Sequence, residues 1–202
     1  MQYAIIGAGG TGGVMGYFMT KAGKDVTLIA RGRHLEAMKE HGLTLERLWD
    51  PNPETIAVKT TDMEHYKEQP DVILVCVKGY SLEDTVPFIR RVAKPDTIVI
   101  PILNIYGTGA KLQKELPELL VTDGCIYVSA NIKEPGVLLQ HGKILRIVFG
   151  VREKTDWNWN RSGRILRTVL LTEFYPKIFA EKHWKNSPMC LRSEQQDCTV
   201  TR

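Results

Sequence analysis

The sequence predicts an α/β fold, a doubly wound parallel sheet that continues into an antiparallel extension. From residue 3 to residue 122, short apolar runs alternate with segments whose apolar residues recur at helical spacing. A glycine-rich turn joins the first apolar run directly to the first helical segment. After residue 124, apolar runs follow one another with only short turns between them, which is typical of antiparallel strands. Strands that alternate with helices favour a parallel sheet with crossover connections.

The glycine-rich turn lies between a predicted buried strand at residues 3–6 and a helical pattern that begins at Thr11. Its glycines form the pattern GxGxxG at Gly7, Gly9 and Gly12. In this context the first glycine permits a tight turn, the second lets a pyrophosphate approach bare backbone, and the third lets the helix pack closely on the strand. Since a helix N-terminus offers free N–H groups, the sequence predicts dinucleotide binding here. The predicted cofactor contacts of the loop are Gly7, Ala8, Gly9, Gly10, Thr11 and Gly12.

The second predicted strand, residues 26–30, ends where a dinucleotide-binding unit contacts the adenosine ribose. An acidic side chain at this point would accept hydrogen bonds from the ribose hydroxyls and indicate NAD, but the chain has Arg31, with Arg33 close behind. A guanidinium pairs bidentately with a 2′-phosphate. The sequence therefore favours NADP over NAD, with Arg31 as the contact. Arg33 is equally compatible with a solvated side chain at a helix start.

Two later strands end at polar side chains. The apolar run at residues 71–77 is followed by Lys78, and the run at residues 97–103 is followed by Asn104. Because the carboxyl ends of parallel strands face the ligand crevice, both side chains are predicted to contact cofactor or substrate. The Asn104 amide suits a nicotinamide ribose or a substrate oxygen. The alternatives are a lysine that faces water and a turn asparagine.

The connections between the strands are predicted to be helical. The predicted helices cover residues 11–22, 34–41, 81–93 and 110–116. Gly23 is expected to end the first helix in a left-handed conformation, and Ser81 to cap the third. Residues 43–58 are expected to be irregular, with short edge strands and no chemistry. Residues 125–150 are expected to form three strands, with turns at residues 134–136 and 141–143.

Composition limits the expected partners and location. The net charge of +4 over 202 residues is too small to argue for nucleic acid, and 43% apolar with 25% charged residues is ordinary for a soluble globular protein. The four cysteines form no CxxC and have no histidines at metal spacing, so no metal site or disulfide framework is predicted and the cytoplasm is the expected location. No signal peptide or membrane span is predicted either.

Taken together, these residues resemble the ketopantoate reductase (2-dehydropantoate 2-reductase) family. The resemblance extends from residue 1 to about residue 185. It rests on Gly7-Ala8-Gly9-Gly10-Thr11-Gly12-Gly13, Ala30-Arg31-Gly32, Val77-Lys78, Asn104 with Gly107, and the strand and turn pattern of residues 123–150. It implies a Rossmann-type NADP-binding domain and NADPH-dependent reduction of the 2-keto group of 2-dehydropantoate to pantoate, a step toward pantothenate and coenzyme A.

The resemblance also implies a general acid that protonates the alkoxide formed from the keto group. In the family this acid is a lysine in the helix that begins a second, helical domain. Lys185 is the corresponding residue, and Lys182 is the alternative because Trp184 lies one position later than expected. Lys78 and Asn104 would position substrate and nicotinamide. The implied domains are an NADP-binding domain at residues 1–172 and, at residues 173–202, a remnant of the helical domain with an irregular tail.

The chain departs from the family pattern in two places. Ile105 follows Asn104 where a glycine is expected, and Met189 and Ser193 stand where the family has asparagines beyond the catalytic lysine. The residues after Asn186 have no helical apolar stripe and are expected to be a disordered or out-of-frame tail.

Two functions therefore stay open. One is a reductase of 2-dehydropantoate or of another 2-keto acid, and the other is a truncated homologue that binds NADP(H) without turnover. In the family, the substrate cleft lies between the NADP-binding domain and the helical domain. A homodimer in which another subunit supplied the side of the cleft that the helical domain normally forms would restore activity to a truncated chain.

Overall fold

A computed structural model describes residues 1–150. Its strands form two sheets, and helices connect several of these strands. Four helices lie in this part of the chain: α1 (Gly10–Lys21), α2 (Gly32–His41), α3 (Val86–Val92) and α4 (Thr108–Glu115). Its strands are β1 (Gln2–Ile6), β2 (Asp25–Ile29), β3 (Leu43–Arg47), β4 (Asp50–Ile56), β5 (Lys59–Thr61), β6 (Val72–Val75), β7 (Ile98–Pro101), β8 (Leu120–Val121), β9 (Asp123–Glu134) and β10 (Val137–Gly150).

The first sheet has six strands in the order β5-β2-β1-β6-β7-β8, and every pairing in it is parallel. The chain moves outward from β1 through β2 to β5, returns to the other side of β1 at β6, and then continues through β7 to β8. The strand order therefore reverses between β1 and β6, which confirms the predicted doubly wound α/β architecture.

Alternating side chains of the central strand supply two separate cores. Tyr3 and Ile5 face a cluster that includes α1, Met38 of α2 and the second sheet. Ala4 and Ile6 face the opposite cluster, which includes α3 and α4. Because both faces are covered, β1 and its neighbours read as continuous apolar runs in the sequence.

The second sheet has four strands in the order β4-β3-β10-β9. The predicted antiparallel pairing within residues 125–150 is confirmed, but it takes the form of two long strands, β9 and β10, rather than three. Residues 141–143 are not a turn: they belong to an irregularity of β10, where the pairing shifts register between Gln140 and Leu145. His141 Nε2 lies 2.5 Å from Asn131 Oδ1, which holds this irregularity against β9.

The stretch at residues 43–58 contributes more structure than the sequence predicts. It forms β3 and β4, and β3 pairs with both β4 and β10 inside the second sheet. Pro51 and Pro53 lie on β4, at the edge of that sheet, where a missing N–H breaks no ladder. The next residues, β5, form the edge of the six-stranded sheet beside β2.

The predicted start of the third helix is wrong. Ser81 makes no capping hydrogen bond; residues 79–81 and 83–85 form two single 3₁₀ turns, and α3 begins at Val86. Pro87 explains the difference, because a proline fits the first turn of a helix but removes the N–H that a longer preceding helix would need. Gly23 follows α1 with φ +73°, as predicted for the residue that ends this helix.

Several predictions fall on residues outside the described part of the chain. These are the domain boundary after residue 172, Lys182, Lys185 and the tail. Within residues 1–150, no helix combines the length and apolar character needed to cross a bilayer.

Candidate functional site

The glycine-rich loop connects β1 to α1 at the point where the strand order reverses. The Gly7 N–H donates to the Ile29 carbonyl of β2 (3.0 Å), and the Cys76 N–H donates to the Ile6 carbonyl (2.8 Å). The carboxyl ends of β1, β2 and β6 are therefore tied together. Gly7 has φ +97°, and a Cβ atom there would lie 2.9 Å from the Cys76 carbonyl oxygen, so glycine is required at this turn.

The other glycines of the loop have different surroundings. A Cβ atom on Gly9 would have no atom within 4 Å, whereas on Gly10 it would lie 2.2 Å from the Ala130 carbonyl oxygen of β9. On Gly12 it would lie 2.1 Å from the Gly7 carbonyl oxygen, which shows how closely α1 packs on the turn. Gly9 is the N-cap of α1 and makes no side-chain cap, so bare backbone at a helix N-terminus faces open space.

This open backbone is the feature that fits a dinucleotide. A pyrophosphate needs N–H groups at a helix N-terminus and room to approach them, and Gly9 offers both. Gly10 has a packing role as well, because its missing side chain makes room for β9. Within residues 1–150, no group of three or more His, Cys, Asp or Glu side chains is arranged to hold a metal ion.

Arg31 is the N-cap of α2, two residues after the end of β2. It is exposed, its backbone is extended, and none of the described residues forms an ion pair with it. The Ile29 carbonyl just before it accepts the hydrogen bond from Gly7, so Arg31 follows directly from the strand end that is tied to the glycine loop. α2 begins at Gly32, two residues earlier than the sequence predicts.

Lys78 and Asn104 follow the neighbouring strands β6 and β7, and both are exposed. Lys78 precedes the 3₁₀ turn at residues 79–81, and its carbonyl accepts from the Ser81 N–H. The Asn104 Oδ1 accepts from the Ile126 N–H of β9 at 3.3 Å. The carboxyl edge of the sheet thus brings the glycine loop, Arg31, Lys78 and Asn104 to one side of the molecule.

Exposed apolar side chains follow Lys78 and Asn104 closely in the chain. Tyr80 is 85% exposed, Tyr106 78% and Ile105 52%. A Cβ atom on Gly79 would lie 2.6 Å from Ile105 Cδ1, so the two turns that carry Lys78 and Asn104 contact each other. The residue that departs from the family pattern, Ile105, is therefore part of the contact between these turns.

Sequence reasoning missed His34, which links three segments around the loop. Its Nε2 lies 2.9 Å from the Ala8 carbonyl oxygen, and its Nδ1 accepts from the Gly136 N–H at 3.0 Å. Burial lowers the pKa of His34, and the hydrogen bond to the Ala8 carbonyl opposes that shift. These partners are 26 and 102 residues away in the chain, so no local pattern could have indicated them.

A family model described as Ketopantoate reductase PanE/ApbA matches residues 3–154. The chain belongs to this family. The matched residues include both sheets except Gln2, the first residue of β1, and every part of the candidate site described above. The resemblance that the sequence motifs carry is thereby confirmed at the level of the family.

Curated members of the family are among the relatives of this chain. The 2-dehydropantoate 2-reductase of Pyrococcus horikoshii is 34% identical over 148 residues, which cover 73% of this chain and 47% of that protein. YkpB of Bacillus subtilis, described as an uncharacterized oxidoreductase, is 30% identical over 172 residues, which cover 82% of this chain and 52% of that protein. The chain spans about half the length of the curated relatives it matches.

Solved structures show the same fold. The 2-dehydropantoate 2-reductase of Porphyromonas gingivalis aligns with a TM-score of 0.70 at 29% identity, over 84% of this chain and 61% of that one. A ternary structure of D-mandelate dehydrogenase with NADH and anilino(oxo)acetate aligns with a TM-score of 0.71 at 24% identity, over 83% of this chain and 53% of that one. The likeness to the second protein concerns the fold alone.

Proposed function

We propose that this chain binds NADPH and takes part in the reduction of 2-dehydropantoate to pantoate, a step toward pantothenate and coenzyme A. The observation that carries the proposal is the open, side-chain-free backbone at Gly9, at the N-terminus of α1 and at the reversal of strand order. Membership of the ketopantoate reductase family supports the same reaction.

Each residue of the site has a role in this proposal. The backbone of residues 7–12 binds the pyrophosphate, and the Arg31 guanidinium pairs with the 2′-phosphate, which favours NADP over NAD. Lys78 and the Asn104 amide orient the nicotinamide ribose and the keto acid. When bound, the nicotinamide supplies the hydride. Lys185 donates a proton to the keto oxygen as negative charge develops there, with Lys182 as the alternative donor.

Two other candidate functions belong to the same site. Because Ile105, Tyr80 and Tyr106 are exposed within two residues of Lys78 or Asn104 in the chain, another 2-keto acid with an apolar side chain would also suit the site. Because the chain spans about half the length of its curated relatives, NADP(H) binding without turnover is the second candidate for these 202 residues.

Steady-state oxidation of NADPH by the purified chain, with 2-dehydropantoate as substrate and absorbance as readout, tests the proposal. We expect turnover, and we expect Lys185→Ala to lower kcat by roughly 10²–10⁴-fold while the matched Lys182→Ala stays close to wild type. NADPH binding without turnover would favour the binding-only candidate. Turnover of phenyl- or alkyl-substituted 2-keto acids at a higher kcat/KM than 2-dehydropantoate would favour another substrate.

A further inference from the structure

His34 joins the glycine loop, α2 and the turn between β9 and β10. It lies in the first turn of α2, with Ala8 of the loop on one ring nitrogen and Gly136 of the turn on the other. Gly136 is buried against α2: a Cβ atom on it would lie 3.1 Å from the Cβ of Ala37. The Gly136 carbonyl in turn accepts from the Thr44 N–H of β3 at 2.9 Å. Gly136 is therefore held in place by its packing on α2 and by its hydrogen bond to β3.

The two contacts define the protonation state of the ring. A backbone N–H only donates, so Nδ1 must accept from Gly136 and carry no proton. Nε2 must then carry the proton and donate it to the Ala8 carbonyl, which only accepts. The structure requires the neutral Nε2–H tautomer. A second proton on Nδ1 would face the Gly136 N–H and abolish that hydrogen bond.

The hydrogen bond between His34 and the Ala8 carbonyl also fixes the orientation of the Gly9 N–H in the glycine loop. The described residues contain no cis peptide, and in a trans peptide the carbonyl of one residue and the N–H of the next point in opposite directions. Holding the Ala8 carbonyl toward His34 therefore points the Gly9 N–H away from it. Gly9 is the residue at which the helix N-terminus meets open space.

We propose that His34 is a positioning residue that holds the Ala8–Gly9 peptide in the orientation needed for pyrophosphate binding, and that a second proton on Nδ1, which breaks the bond anchoring the ring to Gly136, displaces the ring and so weakens cofactor binding. The proposal rests on the proposed function, because it assumes that the loop binds NADP(H). It adds a control of that site by pH, through a side chain whose two ring nitrogens both bond to backbone groups.

Charged side chains near His34 do not account for this role. Around the start of α2, the charged residues nearest to His34 in the chain are Arg31, Arg33 and Glu36. On the turn that packs against the His34 ring, those nearest to Gly136 are Lys133 and Glu134 at the end of β9. Lys133 pairs with Glu46 at 2.8 Å. Within residues 1–150, none of these charged groups is bonded to the His34 ring, whose partners are backbone groups. If the positive charge of a protonated His34 acted only by attracting the pyrophosphate, protonation would tighten NADP⁺ binding. That is the opposite of the effect proposed, so the direction of the pH effect distinguishes the two.

The test compares NADP⁺ affinity at pH 7.5 and pH 5.0, measured by isothermal titration calorimetry on the whole chain. His34→Gln keeps a donor for Ala8 and cannot titrate. The ratio of the wild-type Kd to the His34→Gln Kd cancels the titration of the phosphates of NADP⁺. We expect this ratio to rise roughly fivefold between the two pH values, because one partly buried hydrogen bond is lost only in the wild type. His41→Gln, an exposed histidine at the end of the same helix, should follow the wild type.

A second measurement does not depend on a variant that folds. Nitrogen-15 NMR of the wild-type ring should show a protonated Nε2 and an unprotonated Nδ1 at pH 7.5. By linkage, bound NADP⁺ should lower the pKa of His34. A constant Kd ratio, the Nδ1–H tautomer or a raised pKa on binding would each overturn the role of His34 and leave the proposed function standing. Failure of the wild type to bind NADP⁺ at any pH would overturn both.

Discussion

A Cβ atom on Gly10 would lie 2.2 Å from the carbonyl oxygen of Ala130. Gly10 is the first residue of α1, and Ala130 lies in β9 of the second sheet. Gly10 lies in α1 and its φ is negative, so its backbone does not require glycine. The absence of a side chain instead lets the second sheet approach the loop. One glycine of the predicted cofactor loop therefore serves the packing of the fold.

Gly9 and Gly10 form a matched pair for testing that distinction. Gly10→Ala should lower the free energy of unfolding by about 1–3 kcal/mol, because β9 must move away from the loop. Gly9→Ala should leave stability close to wild type, since its Cβ would meet no atom within 4 Å, but it should weaken NADPH binding by filling the space above the backbone. Thermal unfolding and a fluorescence titration with NADPH measure the two effects. Equal losses of stability in both variants would contradict the assignment.

Arg31 should determine the preference for NADPH over NADH. Arg31→Ala removes a guanidinium that can make two charge-assisted hydrogen bonds to the 2′-phosphate, so NADPH affinity should fall roughly tenfold or more while NADH affinity stays unchanged. Arg33→Ala is the matched control, since both side chains are exposed at the start of α2. Equal wild-type affinities for the two cofactors, or an Arg31→Ala variant with unchanged NADPH affinity, would refute the prediction.

Asn104 should contribute separately to stability and to substrate binding. Asn104→Asp keeps an oxygen that can accept from the Ile126 N–H, so its melting temperature should stay close to wild type. It removes the amide donors and adds a negative charge, so KM for the anionic keto acid should rise. Asn104→Ala loses the acceptor as well and should lower the melting temperature. Unchanged KM in Asn104→Asp would show that the side chain does not face the substrate.

Asp71 should make stability depend on pH in acid. Its carboxylate accepts from Lys94 Nζ at 2.5 Å and from the Gln2 N–H at 2.8 Å. Burial acts to raise the pKa of Asp71, but these hydrogen bonds outweigh it and hold the pKa below its usual value. A carboxylate with a lowered folded-state pKa stabilises the fold above its unfolded pKa, and this stabilisation disappears as pH falls through the folded-state pKa.

At pH 7, Asp71→Asn should therefore lower the free energy of unfolding by about 0.5–1 kcal/mol, a modest value because both partners are partly exposed and screened. The difference from wild type should shrink below about pH 4. Urea unfolding at pH 7, 5 and 3 measures it. Asp96→Asn, at an exposed carboxylate with no ion pair among the described residues, is the control and should show no comparable difference. A gap between Asp71→Asn and wild type that is constant with pH would contradict the prediction.

Local signals in the sequence were sufficient for the four central strands of the first sheet, β2, β1, β6 and β7, but not for β5 at its edge. An apolar run, a glycine turn and a helical stripe adjoin each other at residues 2–21, and each carries its own information about burial and backbone. The same holds for the placement of Arg31, Lys78 and Asn104 after β2, β6 and β7, because side chains that follow parallel strands share one edge. The error at Ser81 was also local, since Pro87 already indicates where α3 starts.

By itself, the sequence determined the doubly wound sheet, the glycine loop and the family, because these depend on residue types at short spacing. Only the tertiary structure decided that residues 43–56 join β9 and β10 in a second sheet, that Gly10 makes room for Ala130, and that His34 bonds to both Ala8 and Gly136. The physical reason is the same in each case. Hydrophobic periodicity reports which face of an element is buried, but it does not report which distant segment covers that face.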